Sequence, residues 1–205
     1  MVLGICGKSG SGKDTLIKMI KDRNKEIYRM VKASDRPPRK YEKNGQDYWY
    51  FTKEDFKEAE RTGSFITVQS FKVANGETWD YGIFQNDIEE CLDSDCFCLI
   101  TLTPYEVKAL YKKLNKNQLD RLYILYLNIT DDIRRKRLLE RGDDIAEINR
   151  RIDADNADFD NPIFLSMVDD MISASETNII YEEIQDDIDM EIGFFKNYNK
   201  YNKKG

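Results

Sequence analysis

The run Gly7-Lys8-Ser9-Gly10-Ser11-Gly12-Lys13-Asp14-Thr15 leaves few folds open to this chain. It follows the apolar stretch Met1-Val2-Leu3-Gly4-Ile5-Cys6 and leads into Leu16, Ile17, Met19 and Ile20, spaced as the buried stripe of a helix. A strand that ends in Gly-x-x-x-x-Gly-Lys and turns into a helix is a phosphate-binding loop in its proper setting. Its side-chain-free backbone wraps a triphosphate, so that amide hydrogens, the positive end of the helix and a lysine converge on one anion. Ser9, Gly10, Ser11, Gly12, Lys13, Asp14 and Thr15 are therefore the expected ATP contacts, with the Lys13 ammonium neutralising charge during transfer. The last slot departs from the usual pattern: Asp14 stands where a Ser or Thr hydroxyl normally holds Mg²⁺, and the first hydroxyl follows at Thr15. Either Asp14 orders a water on Mg²⁺, with Thr15 beside it, or its carboxylate complements the helix dipole.

A chain of 205 residues is long enough for one sizeable core and too short for two domains of average size. The formal charge of −6 argues against a general nucleic-acid binder. No apolar run approaches the roughly 20 residues that span a bilayer, so no membrane association and a cytoplasmic location are expected. The 4 cysteines lack zinc or Cys-x-x-Cys spacing and are expected to be buried free thiols. There is no histidine, which excludes His-ligated metals, Ser-His and Cys-His nucleophilic pairs and a histidine base. Phosphoryl transfer survives that exclusion, because it depends on positioning and on cations.

Apolar, β-branched or aromatic runs at 2–6, 26–31, 97–102, 122–129 and 171–174 predict strands. Helices are expected from Lys13, from Lys53 after the cap Thr52, near Asn86, after Pro104, after Thr130, near Asp144 and after Thr177. The alternation predicts an α/β fold, a parallel sheet covered by helices. Residues 34–82, rich in Pro, Gly, Tyr and charge, break the rhythm and read as an inserted subdomain, with strand-like pieces at 48–51 and 65–73 and a hairpin turn at Asn75-Gly76. The Asn-, Lys- and Tyr-rich tail at 197–205 is expected to fray.

Three separated motifs then occur in order. After the phosphate loop come Ser34-Asp35-Arg36-Pro37-Pro38-Arg39, Glu42, Asn44-Gly45-Gln46-Asp47-Tyr48 and Gly63-Ser64-Phe65-Ile66; farther on stand Arg137-Leu138-Leu139-Glu140-Arg141-Gly142 and Ile148-Asn149-Arg150-Arg151-Ile152. This pattern resembles the guanylate kinase family over roughly residues 1 to 175. The resemblance implies a P-loop core of residues 1–33, 83–130 and 153–205, an acceptor-binding subdomain at 34–82 and a lid at 131–152. It implies that Arg36 and Arg39 clamp the acceptor phosphate, where a planar guanidinium binds two oxygens at once, and that Tyr48 and Tyr81 add hydroxyl donors. Arg137, Arg141 and Arg151 resemble lid arginines that close over ATP; Arg134, Arg135 and Lys136 read better as a charged helical face.

The departures fall on the base side. Thr67 holds the place of the family's guanine-reading glutamate, Lys32 and Ile83 those of two serines, and Thr101 and Thr103 those of an aspartate and its neighbour; Ser34 remains. A carboxylate that accepts from guanine discriminates strongly, and threonine imposes no such test. The implied activity is MgATP-dependent phosphorylation of a nucleoside monophosphate with the base left open. Two alternatives stay open: a kinase of a phosphorylated sugar such as ribose bisphosphate, which shares the Gly-Lys-Asp loop, and a catalytically silent guanylate kinase-like binding module.

Overall fold

A computed structural model describes residues 1–173 other than 74 and 95. The helix expected after Thr177 and the tail at 197–205 lie outside the described residues. Every residue of β1 (Val2–Gly7) is buried, as an all-apolar run must be when both faces of a strand are covered. It lies at the centre of a parallel sheet ordered β2 (Tyr28–Arg29), β7 (Cys98–Leu102), β1, β8 (Leu122–Leu127) and β9 (Asp170–Ile172). The run at 26–31 thus yields only 2 residues of strand, because pairing of β2 with β7 stops at Arg29. On one face of the sheet, α1 (Lys13–Arg23) buries Leu16, Ile17 and Ile20 against Leu3, Ile5 and Leu99. On the other face, α3 (Gln85–Asp93) and α4 (Pro104–Lys113) bury Ile88, Leu92, Val107 and Leu110 against Val2, Ile100 and Ile124. The mixed α/β fold with a helix-covered parallel sheet is as expected. Two one-turn helices, α5 (Lys116–Leu119) and α8 (Pro162–Leu165), lacked the length to show a period in the sequence.

A second sheet runs β4 (Trp49–Tyr50), β3 (Ala33–Ser34), β6 (Thr78–Phe84) and β5 (Phe65–Lys72), all from the stretch whose composition broke the βα rhythm. β5 and β6 form an antiparallel hairpin that turns at Asn75-Gly76, with Gly76 at φ 88°. α2 (Lys53–Arg61), capped by the Thr52 hydroxyl, which accepts from the Asp55 amide, covers this sheet by stacking Phe56 on Phe65 at 4.8 Å between ring centroids. Ile66 and Ile83 reach from it into the main core and join the two sheets.

α6 (Asp131–Glu140) and α7 (Ile145–Phe159) pack on each other through Leu138, Ile148 and Ile152, and the Asp144 carboxylate caps α7. Among the cysteines, Cys6, Cys91 and Cys98 are buried free thiols as expected, whereas Cys96 is exposed, being short of the first paired residue of β7. No described helix is long and apolar enough to cross a membrane.

Candidate active site

The phosphate loop departs from β1 and enters α1 through Gly10 (φ 79°) and Gly12 (φ 97°), conformations that side chains disfavour. A Cβ at Gly10 would also come within 3.1 Å of the Arg134 carbonyl, so the glycine permits α6 to rest on the loop. Lys13 folds back, its Nζ donating to the carbonyls of Gly7 at 2.6 Å and Lys8 at 3.2 Å, and burial lowers its pKa. The Ser11 hydroxyl is buried in the bend of the loop and has no hydrogen-bond partner among the described residues. Asp14 and Thr15 are exposed at the first turn of α1, and the Asp14 carboxylate lies 3.5 Å from the Arg29 guanidinium.

α6 and α7 grip this loop with groups whose role sequence reasoning missed. Arg134 is wholly buried, with Nε on the Ser9 carbonyl at 2.9 Å, Nη1 on Asp131 at 2.6 Å and Nη2 on Asp155 at 2.6 Å. Asp155 also accepts from the Ser9 amide at 2.6 Å, and Lys8 Nζ reaches Asn156 at 2.8 Å and Asp160 at 2.8 Å. Arg134 is therefore no part of a solvated face, unlike Arg135, which bonds Asn149 in the open, and Lys136, which is exposed. Arg137 donates to the carbonyls of Gly10 and Ser11, both at 3.2 Å. Arg141 is turned to Asp143, and Arg151 to Glu147 at 2.7 Å and Asp143 at 3.5 Å, so these two arginines are held by carboxylates of the helix pair.

A cavity of about 260 Å³ opens between the loop and the second sheet, with Ser9, Arg39, Tyr48, Tyr81, Arg151 and Lys32 in its walls. Of the expected acceptor residues, Arg39, Tyr48, Tyr81, Lys32 and Thr103 line it. Four do not, and the structure corrects their placing: Ser34, Thr101, Arg36 and Thr67, the last of them buried on β5. Ser34 is fully buried, donating to the Asp80 carbonyl at 3.0 Å, and so holds β3 to the hairpin. Thr101 is half-buried beside Ile5 on the central strands, outside the cavity. Arg36 gives both terminal nitrogens to Glu42, at 2.7 and 2.8 Å, and lies 4.9 Å from the Tyr48 ring centroid, so that its fork shapes the loop, while its buried Nε has no partner among the described residues. Thr103 lines the cavity but also caps α4: its hydroxyl accepts from the Glu106 amide at 3.2 Å while Glu106 accepts from the Thr103 amide at 2.8 Å. Ile83 is core.

Burial would raise the Glu42 pKa, but hydrogen bonds from Arg36, the Arg39 amide and the Tyr50 hydroxyl outweigh it and hold the carboxyl down at about 2. Its ordinary value is 4.5, so its contribution to stability is complete above pH 4.5 and is lost as the pH falls from there through 2. Glu42→Gln is expected to flatten the acid limb of unfolding in that window. Chemical denaturation at a series of pH values checks this; an unchanged slope would mean that the Arg36–Glu42 fork does not form.

Comparison with known proteins agrees with this geometry. A family model described as guanylate kinase matches residues 2–191. A guanylate kinase of Wolbachia pipientis wMel is 28% identical over 152 residues, 74% of this chain and 72% of its own length. One from Prochlorococcus marinus subsp. pastoris is 29% identical over 153 residues, 74% of this chain and 78% of its own. Among solved structures, that of guanylate kinase from Anaplasma phagocytophilum superposes with a TM-score of 0.60 at 16% identity, covering 93% of this chain and 85% of that one.

Proposed function

The chain belongs to the guanylate kinase family, and on that premise we propose that it transfers the γ-phosphoryl group of ATP to a nucleoside monophosphate, giving the diphosphate. The observation that carries this reading is the cavity itself: Ser9 of the phosphate loop stands at one wall and Arg39, Tyr48 and Tyr81 of the second sheet at another, so donor and acceptor phosphates would meet within one enclosure. An oxygen of the acceptor phosphate attacks the γ-phosphorus, the bond to the β,γ-bridging oxygen breaks, and ADP leaves. The acceptor phosphate is already ionised at neutral pH, so no general base is needed, in keeping with the absence of histidine.

Lys13 exchanges its two carbonyl partners for the nucleotide phosphates, and Arg137, already against the loop, adds a second cation. Arg151 lines the same cavity and would turn inward from Glu147 as α6 and α7 close as a lid; closure excludes water and favours transfer over hydrolysis. Asp14 and Thr15, adjacent and exposed where the loop ends, offer the hard oxygen ligands that suit Mg²⁺ carried in with ATP. The metal would supply charge neutralisation on the β- and γ-phosphates.

Coupled assays of ADP release with MgATP and a panel of monophosphates test the reading. Turnover with ribose bisphosphate alone would make the protein a sugar-phosphate kinase, and binding without turnover a silent module. Within the same assay, Arg39→Ala is expected to raise the acceptor KM about tenfold or more, by loss of a charge-assisted bond of roughly 1.5 to 3 kcal/mol, and to leave the ATP KM nearly unchanged. Equal damage to both constants would move Arg39 to the donor site.

A further inference from the structure

The turn between α6 and α7 sets one carboxylate among the arginines on which phosphoryl transfer would draw. Gly142, at φ 87°, ends α6: its amide returns to the Leu139 carbonyl at 2.9 Å and the Asp143 amide to the Leu138 carbonyl at 3.1 Å. Asp144 then caps α7, so the backbone of Asp143 is pinned on both sides and its carboxylate is left to side chains. One oxygen accepts from Arg141 Nε at 3.0 Å and the other from Arg141 Nη2, a two-point fork, and the carboxylate lies 3.5 Å from Nη1 of Arg151. Burial alone would raise the Asp143 pKa, but the hydrogen bond from Arg141 and the charges of Arg141, Arg151 and Arg39 outweigh it and lower it.

The other tie on Arg151 is of a different kind. Its Nε bonds Glu147 at 2.7 Å, one turn back on the same helix, and Glu147 also takes two nitrogens of Arg150, each at 2.8 Å. That cluster belongs to α7, whereas Asp143 draws together the end of α6, the face of α7 and, at longer range, Arg39 of the acceptor subdomain. Arg39 and Arg151 both line the cavity. Two lid arginines and one acceptor arginine thus face a single anion, which is the arrangement that a phosphoryl group passing between donor and acceptor would itself draw.

Resting on the kinase reading, we propose that Asp143 is an internal stand-in for that phosphoryl group: it gathers Arg141 and Arg151, and ATP binds by exchanging its phosphate oxygens for the Asp143 carboxylate. A carboxylate and a phosphate present a like pair of oxygens to a guanidinium fork, so the same N–H groups cannot serve both fully. Asp143 is therefore a positioning residue that also competes. It keeps the two arginines together against their mutual repulsion, and it lowers the affinity for the donor. The competition is moderate, because the Asp143 side chain is 20% exposed and its ion pairs are partly screened.

The test is calorimetric binding of a non-hydrolysable ATP analogue with Mg²⁺ to wild type and to Asp143→Asn, which keeps the size of the side chain and removes its charge. The variant is expected to bind the analogue about threefold to tenfold more tightly, as release of a shared, partly screened ion pair allows. In a chain carrying Arg141→Ala and Arg151→Ala, the same substitution should alter affinity by less than about 1.5-fold, because the carboxylate then has no arginine to withhold. Unchanged or weaker binding by a folded Asp143→Asn chain would overturn the proposal. So would a gain that survives without the two arginines, which would mark a general effect of charge. Either result leaves the kinase reading standing so long as wild type binds the analogue; if it binds none, both readings fall. Asp143→Ser carries the same expectation and takes the place of the Asn variant if that chain does not fold.

Discussion

Lys13→Ala is expected to lower turnover by a factor on the order of a hundred or more while the fold persists. Among the described residues the ammonium is bonded only to the carbonyls of Gly7 and Lys8, so it braces a loop that is also held by the Ser11 amide on the Lys8 carbonyl and by Arg134 on the Ser9 carbonyl. Truncation therefore removes a cation from the site and few contacts from the core. Burial lowers the Lys13 pKa because the charged form is poorly solvated there, and an arriving triphosphate restores the lost stabilisation. That exchange is stronger when the γ-phosphoryl group is in flight than when it is bound, which is why the loss should fall on kcat. Steady-state rates, with circular dichroism as a check of folding, decide the matter. A purified variant with near-normal kinase activity would remove Lys13 from the chemistry and the phosphate-loop reading with it.

What the sequence disclosed and what it withheld divide along chain distance. The loop at 7–15, the cap at Thr52, the Asn75-Gly76 turn and the parallel core were legible because each signal lies within a few residues of its consequence. The Lys32–Glu106 pair spans 74 residues and the Arg134–Ser9 contact 125, and nothing local marks either partner. Lys32 could be placed beside the acceptor by resemblance, yet its counter-ion could not, because Glu106 belongs to none of the motifs and is joined to Lys32 only by the fold. Ser34 and Thr101 show the converse. A matching position gives the place in the chain, whereas the pleat decides which way a side chain points, and neither residue lines the cavity. Arg36 adds a third reason: Glu42, quoted in the same motif, takes its fork at short range.

The burial of Arg134 carries the second large effect. A guanidinium with no exposed surface is tolerated only where nearly every N–H has an acceptor, and here Ser9, Asp131, Asp155 and Asn156 supply them. Arg134→Met matches the stem and removes the charge, leaving Asp155 without its cation beside the Ser9 amide and the Ser9 carbonyl without its donor. We expect a loss of roughly 2 to 4 kcal/mol in unfolding free energy, below the upper range for deleting a buried ion-pair partner because Asp131 is half-exposed and keeps part of its hydration. The same change loosens the loop, so the ATP KM should rise while the acceptor KM moves little. Arg134→Lys separates charge from geometry: one ammonium cannot serve acceptors on the loop, α6 and α7 together, and most of the loss should persist. Denaturant titration of the two variants reads this directly. Wild-type stability in Arg134→Met would mean that the side chain is dispensable to the core and that α6 rests on the loop through the Gly10 contact alone.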